Sequence, residues 1–332
     1  GDNSSYGPNQ IALFLATAVA VVIGLKNGYR WHVMEKAMVK GISLSLGAVL
    51  ILLSVGALIG TWMLSGTVPT LIYYGLQILS PSWFYAASCL LCGIVAMSIG
   101  SSWTTAATIG VALIGVASGL GLSPAITAGA IVSGAYFGDK ISPLSETTNL
   151  APAVAGADLF DHIRHMLWTT VPSFVMALIL FTLIGFNSDV SADFARIDEI
   201  SLVLQNNFSI SFVSLIPLFV LLAMAVKKVP AFPTVFIGAL LGAVWAVLFQ
   251  QDLLSRLIDT DVPAALGITK LIWHTLHAGF SIDTGNGSLN DLLSGGGMSS
   301  MLNTIWLVFT AMMFGATIEK ICLLRKFVTS IL

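Results

Sequence analysis

Between Gly41 and Gly138 the sequence contains no Asp, Glu, Lys, Arg or His. Soluble domains carry about 25% charged residues, so a stretch this long without one cannot form the surface of a water-soluble fold. Its residues belong in lipid or in the core of a large membrane bundle. The rest of the chain agrees: of 332 residues 9% are charged and 56% hydrophobic, and the mean hydropathy is +0.92. The apolar runs are continuous rather than alternating, which favours helices over an outer-membrane barrel. The expected fold class is an all-α polytopic membrane protein, with the lipid bilayer as its partner. A net charge of −2 gives no ground for nucleic-acid binding.

A spanning helix needs about 20 mostly apolar residues. Expected spans are Gln10–Leu25, Gly41–Leu64, Trp83–Ile99, Thr105–Leu122, Met166–Phe186, Phe208–Val226, Thr234–Phe249 and Met301–Ile321. Pro124–Phe137 and Leu144–Ala157 are short and interrupted by Gly or Pro, and read as half-helices or re-entrant hairpins. Residues 187–206 are an acidic loop, with Asp189, Asp193, Asp198 and Glu199 against Arg196. Lys26, Arg30, Lys36 and Lys40, then Arg164, then Lys227 and Lys228, and finally Arg325 and Lys326 mark the opposite side. The positive-inside rule makes those basic segments cytoplasmic and the 187–206 loop external. Residues 250–300 are expected to be interfacial or re-entrant, since Gly295-Gly296-Gly297 cannot form a stable helix interior. The whole chain, 1–332, reads as one transport domain.

Three charges, Asp139, Lys140 and Glu146, arrive together where the uncharged run ends. Each costs about 2.5–3.5 kcal/mol at the centre of a membrane helix, so they are kept for an ion, a proton or a substrate. Pro143 cannot donate a backbone hydrogen bond and pushes Ser142 toward an extended conformation. A helix entering residues 138–152 is therefore expected to break and expose carbonyl oxygens. Around the break stand Asp139, Ser142, Ser145, Glu146, Thr147, Thr148 and Asn149. These are hard oxygen donors, apart from the NH₂ of Asn149, and suit a small cation at a discontinuous helix. A carboxylate among them can hold either the cation or a proton, and that competition is the simplest basis for exchange. The alternative is a loop ion pair of Asp139 with Lys140 and a helix cap at Glu146. Lys140 either neutralises a vacant site or snorkels to the interface, and the second is favoured.

Two further clusters are accessory candidates. Gly100, Ser101 and Ser102 read as a hairpin tip, and the hydroxyls of Ser101, Ser102, Thr104 and Thr105 either complete a cation shell or serve helix packing. Ser281, Asp283, Thr284 and Asn286 form either a second polar element at the site or an exposed loop. Cys89 and Cys92 lie one turn apart in an apolar run and read as small buried helix residues. His162 with His165, and His274 with His277, have metal-compatible spacing but no evident third ligand. An intramembrane aspartyl protease would need a second aspartate facing Asp139, and none is recognisable, so the chain reads as a non-enzyme.

The stretch Gly138 to Pro152, Gly-Asp-Lys-Ile-Ser-Pro-Leu-Ser-Glu-Thr-Thr-Asn-Leu-Ala-Pro, closely resembles the signature of NhaC-type Na+/H+ antiporters. So do Ser101–Thr108, Asp158–His165, and Ser281–Asn286 followed by Gly296-Gly297-Met298. The resemblance covers nearly the whole chain. It implies an inner-membrane secondary antiporter of the ion-transporter superfamily, with inverted repeats, re-entrant hairpins and broken helices. It further implies Asp139 and Glu146 as the cation- and proton-binding carboxylates, with Ser145, Thr147, Thr148 and Asn149 as neutral ligands. Na+ would then sit at Asp139, Glu146, Thr148 and Asn149. The cargo is Na+ and H+, no cofactor is implied, and homodimerisation stays open. Relatives in the same family exchange sodium and protons for small organic acids such as malate and lactate, and that is the alternative function. The family's second half carries its own broken helix, which is not found here, so an incomplete member is expected.

Overall fold

The computed structural model describes residues 7–143, 145, 148, 152, 157–187, 194–227, 229–258, 262–284, 290 and 292–323. Among them seven helices are long and apolar enough to cross a membrane, or eight if one bent pair is a single span. The chain divides by backbone packing into two units, Gly1–Gly56 with Met298–Leu332, and Ala57–Gly297.

The first unit holds α1 (Pro8–Lys26), α2 (Trp31–Leu44) and α15 (Leu302–Lys320). Small residues let these helices approach: a Cβ on Gly41 would lie 2.6 Å from Ala316 Cβ, and one on Gly24 would lie 2.6 Å from Met34 Sδ. Ala20, Val21, Met34 and Ile321 form the buried cluster. Gln10 donates its amide to the Asn303 carbonyl at 3.1 Å and so ties α1 to the start of α15. The expected span Gly41–Leu64 is not one helix. It divides at Ser45 into the end of α2 and α3 (Leu46–Leu64).

In the second unit, the end of α3 turns through Gly66 (φ 76°) into a half-length helix, α4 (Thr67–Ile78), whose first turn is buried throughout. Next come α5 (Pro81–Ile99), α6 (Ser102–Thr105), a π-helical turn (Ala106–Gly110), α7 (Val111–Gly119) and α8 (Pro124–Ile141). α9 (Leu159–Phe186) starts at Asp158, whose carboxylate accepts the N–H groups of Phe160 and Asp161 at 2.9 and 3.1 Å. It runs on through Pro172. Its Trp168, Ile179, Leu180 and Leu183 are exposed, as a lipid-facing helix requires. α10 (Phe194–Asn207) occupies the stretch expected to be an acidic loop. The expected span Phe208–Val226 starts later, with a 3₁₀ turn (Phe212–Leu215) into α11 (Ile216–Val226), and is bent by 87° against the helix before it. α12 (Ala231–Phe249), α13 (Gln251–Leu257) and α14 (Ala264–Ala278) complete the helices of this unit.

The glycine-rich segment after α14 forms a two-residue ribbon, β1 (Gly279–Phe280) antiparallel to β2 (Gly295–Gly296). Gly279 stands at φ 103°, and a Cβ there would strike the Gly295 carbonyl, so the ribbon depends on glycine at that point. Pro124–Phe137 is likewise corrected. It is not a half-helix broken by glycine but part of one 18-residue helix. Its glycines serve close packing, because Ala130, Gly134 and Gly138 form a stripe that lets the α8 backbone rest on α5. A Cβ on Gly134 would strike the Cys89 carbonyl, and one on Gly138 the Gly93 carbonyl. Helices in lipid gain little from hydrophobicity against each other and rely on such close approach. Phe137 then stacks on Phe174 of α9 at 3.8 Å and 7°.

Candidate functional site

Ser123 and Pro124 set the start of α8. The Ser123 hydroxyl accepts the Ile126 N–H at 3.4 Å, and Pro124 takes the first helical position, where no donor is needed. Tyr85 of α5 accepts the Ser123 N–H at 2.9 Å and anchors that end to the neighbouring helix. The helix passes through Gly138, Asp139 and Lys140 and stops at Ile141. Ser142 is extended (φ −77°, ψ 124°), the conformation Pro143 imposes on its predecessor. The expected break thus falls two residues after Asp139, which stays helical.

Past the break the chain folds back over the helix end. Ser142 N–H donates to the Asp139 carbonyl at 3.3 Å and Ser145 N–H to the Ser142 carbonyl at 3.2 Å. The Thr148 hydroxyl donates to the carbonyls of Asp139 and Lys140, each at 3.1 Å, and its N–H approaches Ser145 Oγ at 3.4 Å. Thr148 therefore closes the C-terminus of α8, where free carbonyls would otherwise face the core. Ser142, Ser145 and Thr148 are buried, Asp139 is half-buried and Lys140 is exposed. The negative end of the helix dipole lies at this carboxylate, which favours a cation there.

The second cluster reaches the same point from the other side. α5 closes at Gly100 in the left-handed region (φ 75°), and Ser101 caps α6 by accepting the Thr104 N–H at 3.2 Å. Ser101 and Thr104 share a hydroxyl contact of 3.0 Å, and Thr105 donates to the Ser101 carbonyl at 2.9 Å. Those hydroxyls serve their own turn. Ser102 is different: its hydroxyl donates across to Asp139 Oδ2 at 2.8 Å, joining residues 37 apart in sequence. Trp103 points outward, 47% exposed.

The third cluster is organised around Asn290. Asp283 accepts from Asn290 Nδ2 at 3.0 Å, and Thr284 gives both its N–H and its hydroxyl to Asn290 Oδ1 at 2.7 Å. Ser281 and Asp283 are exposed and Thr284 is half-buried. These bonds tie the segment to Asn290. Glu146, Thr147, Asn149 and Asn286 lie outside the described residues.

The pairing of Ser102 with Asp139 and the clamp by Thr148 were not readable as such. Both residues stood among the candidates, but a contact across 37 residues leaves no local signal. Thr108, at the end of the second cluster, carries no role in that reading; its hydroxyl donates to the Thr104 carbonyl at 2.7 Å, the bond a threonine makes four residues along a helix.

A model of the Na+/H+ antiporter family matches residues 134–332. The chain is 41% identical over 324 residues to the malate-2H+/Na+-lactate antiporter of Bacillus subtilis, covering 97% of this chain and 66% of that protein. It is 41% identical over 312 residues to the Na+/H+ antiporter NhaC of Alkalihalophilus pseudofirmus, covering 94% and 64%. It is 36% identical over 295 residues to the arginine/ornithine antiporter ArcD of Halobacterium salinarum, covering 88% and 58%. The chain thus spans less than two thirds of the length of these relatives. No solved structure matches.

Proposed function

Since this chain belongs to the Na+/H+ antiporter family, we propose that it is the transport domain of a secondary antiporter that moves cytoplasmic Na+ out in exchange for external H+. The observation that carries the reading is the Asp139 carboxylate. It stands at the C-terminal end of α8, takes a hydrogen bond from Ser102 of a second helix, and adjoins a chain reversal of buried hydroxyls. One carboxylate that can hold either Na+ or H+, but not both together, makes exchange of the two obligatory.

In this reading Asp139 and Glu146 share the cation and the proton, with Ser142, Ser145, Thr147, Thr148 and Asn149 supplying neutral oxygen. Na+ rests on Asp139, Glu146, Thr148 and Asn149. Ser101, Ser102, Thr104 and Thr105 support it from the second helix. Ser281, Asp283, Thr284 and Asn286 are a further accessory element. The basic segments face the cytoplasm and residues 187–206 face outward. Residues 138–152 are the ion-site segment, and 250–300 the interfacial and re-entrant one.

The 41% identity to a malate/lactate exchanger supports a second reading, in which an organic acid travels with the ions. Lys140, the cation of the segment, is exposed at its edge and would meet the carboxylate of such a substrate. Everted vesicles with a pH-sensitive dye, made from cells expressing the full-length protein, separate the two. Proton movement on adding Na+ alone supports inorganic exchange. Movement only when malate or lactate is also present supports the second reading. Unchanged exchange by both Asp139→Asn and Glu146→Gln removes this segment as the site.

A further inference from the structure

We propose that the corner where the end of α1, the start of α2 and the end of α15 meet is a binding surface for an anionic phospholipid, with the headgroup phosphate on Arg30 and Lys36. The corner belongs wholly to the first unit, and the inference does not depend on the antiport reading.

Packing sets the level of this corner in the membrane. α1 and α15 run side by side in the same direction. Near their starts Gln10 donates to the Asn303 carbonyl, and near their ends a Cβ on Gly24 would lie 3.0 Å from Ile321 Cγ2. Each helix has 19 residues, about 29 Å at 1.5 Å per residue, which matches a hydrocarbon core of about 30 Å. Their common C-terminal end therefore lies at the headgroups. α2 turns back from the same end. Tyr29 N–H donates to the Gly24 carbonyl at 3.0 Å to close the turn, and Met34 joins Ala20, Val21 and Ile321 in the buried cluster beneath it. Trp31 is 53% exposed here, at the level where aromatic residues gather in membrane proteins.

The same fold gathers positive charge there. Lys26 ends α1, Lys320 ends α15, Arg30 immediately precedes α2, and Lys36 and Lys40 follow one turn apart on its exposed side. All five are exposed, and among the described residues none of them has an ion-pair partner. Glu35 and Glu319 are the only carboxylates in the sequences of the three helices, and residues 321–332 add Arg325 and Lys326 but no acid. Lys26 and Lys320 complement the negative ends of their own helices. Arg30 and Lys36 have no such compensation. Arg30 adds to the positive end of α2, whose first turn holds no carboxylate. Lys40 starts about one turn deeper, because Gly41 lies against Ala316, and its stem reaches back toward the headgroups. Below the charges, α2 exposes Val39 (62%) and Leu44 (72%). A soluble phosphate would satisfy the cations alone, whereas a phospholipid satisfies the cations with its headgroup and the apolar flank with its chains. Each cation near an anionic lipid surface contributes about fivefold in binding.

The test places the purified full-length protein in mixed vesicles in which either the phosphatidylglycerol or the phosphatidylcholine carries bromine on its chains. Bromine quenches only nearby indoles, so the difference between wild type and Trp31→Phe isolates the signal of Trp31. Trp31 should be quenched preferentially by brominated phosphatidylglycerol. The preference should fall about fivefold in Lys36→Gln, and about fivefold again when Arg30→Gln is added; Lys36→Arg should keep it. It should also weaken as ionic strength is raised with choline chloride. Equal quenching by the two lipids, or a preference untouched in the Arg30→Gln, Lys36→Gln double variant, overturns the proposal. Loss of the preference on adding inorganic phosphate at matched ionic strength would make the corner a soluble-phosphate site and overturn the lipid assignment. If the glutamine variants insert poorly, wild type carries the test alone: a preference that is the same at low and high choline chloride refutes a site built from these cations.

Discussion

Gly138→Ala is the smallest change that should disable the site without touching a polar atom. Gly138 immediately precedes Asp139, and α8 lies backbone-to-backbone on α5 at this point. An added methyl would strike the Gly93 carbonyl and lie 2.5 Å from the Met97 nitrogen and 2.8 Å from Ala96 Cβ. Relaxing a 2.5 Å contact to ordinary carbon contact of about 3.5 Å requires a shift of roughly 1 Å. None of the struck atoms is the end of a flexible side chain, so the two helices must move apart. The Ser102–Asp139 bond of 2.8 Å would stretch to about 3.8 Å, beyond hydrogen-bonding range. Overpacking of this kind costs about 1–3 kcal/mol. A displacement of about 1 Å can cost on the order of a hundredfold in rate where groups must be prepositioned. The variant should therefore insert and remain folded, show a lower thermal midpoint in detergent, and exchange at a small fraction of the wild-type rate. Na+/H+ exchange in everted vesicles, normalised to the amount of inserted protein, measures it. Wild-type exchange by an inserted Gly138→Ala protein would refute the idea that this helix contact places the carboxylate.

The same geometry predicts three other outcomes. Thr148→Val removes the donor shared by the Asp139 and Lys140 carbonyls and should cost about 1 kcal/mol of stability, read as a lower thermal midpoint; Thr148→Ser should recover it, and equal loss in both would make the methyl, not the hydroxyl, responsible. Lys140→Met should leave Na+/H+ exchange intact under the inorganic reading and abolish malate or lactate transport under the other, measured with labelled substrate. Trp62→Phe removes the indole donor to the Gly238 carbonyl, 3.0 Å away and buried, and should destabilise the protein by about 1 kcal/mol without changing the apparent KM for Na+.

The spans were readable where hydropathy alone decides. α1, α5, α12 and α15 occupy the segments expected of them, because an apolar stretch of spanning length has one good solution in lipid. The errors occurred where glycine, proline or length mattered. α4 was missed because Thr67–Ile78, at 12 residues, is too short to span and gives no hydropathy signal of spanning length. Gly134 and Gly138 read as helix breakers but act as contact points; in a helix whose backbone bonds stay closed, the missing side chain permits close approach to α5. The cluster from Asp139 to Thr148 stood out because charge and hydroxyls gather where a proline ends a helix. Which hydroxyl meets the carboxylate was not readable. Ser101, Ser102, Thr104 and Thr105 look alike in sequence, and the direction in which each points depends on the Gly100 turn and the widened turn after Thr105.

The most direct test of the central claim, that Na+ and H+ compete for the Asp139 carboxylate, is proton release on Na+ binding. The purified full-length protein in weakly buffered solution is mixed with NaCl in the presence of a pH indicator, with choline chloride as control. Wild type should release protons in a saturable, Na+-specific way, and Asp139→Asn should release none. Equal release by the two proteins would place the competition elsewhere and contradict the account.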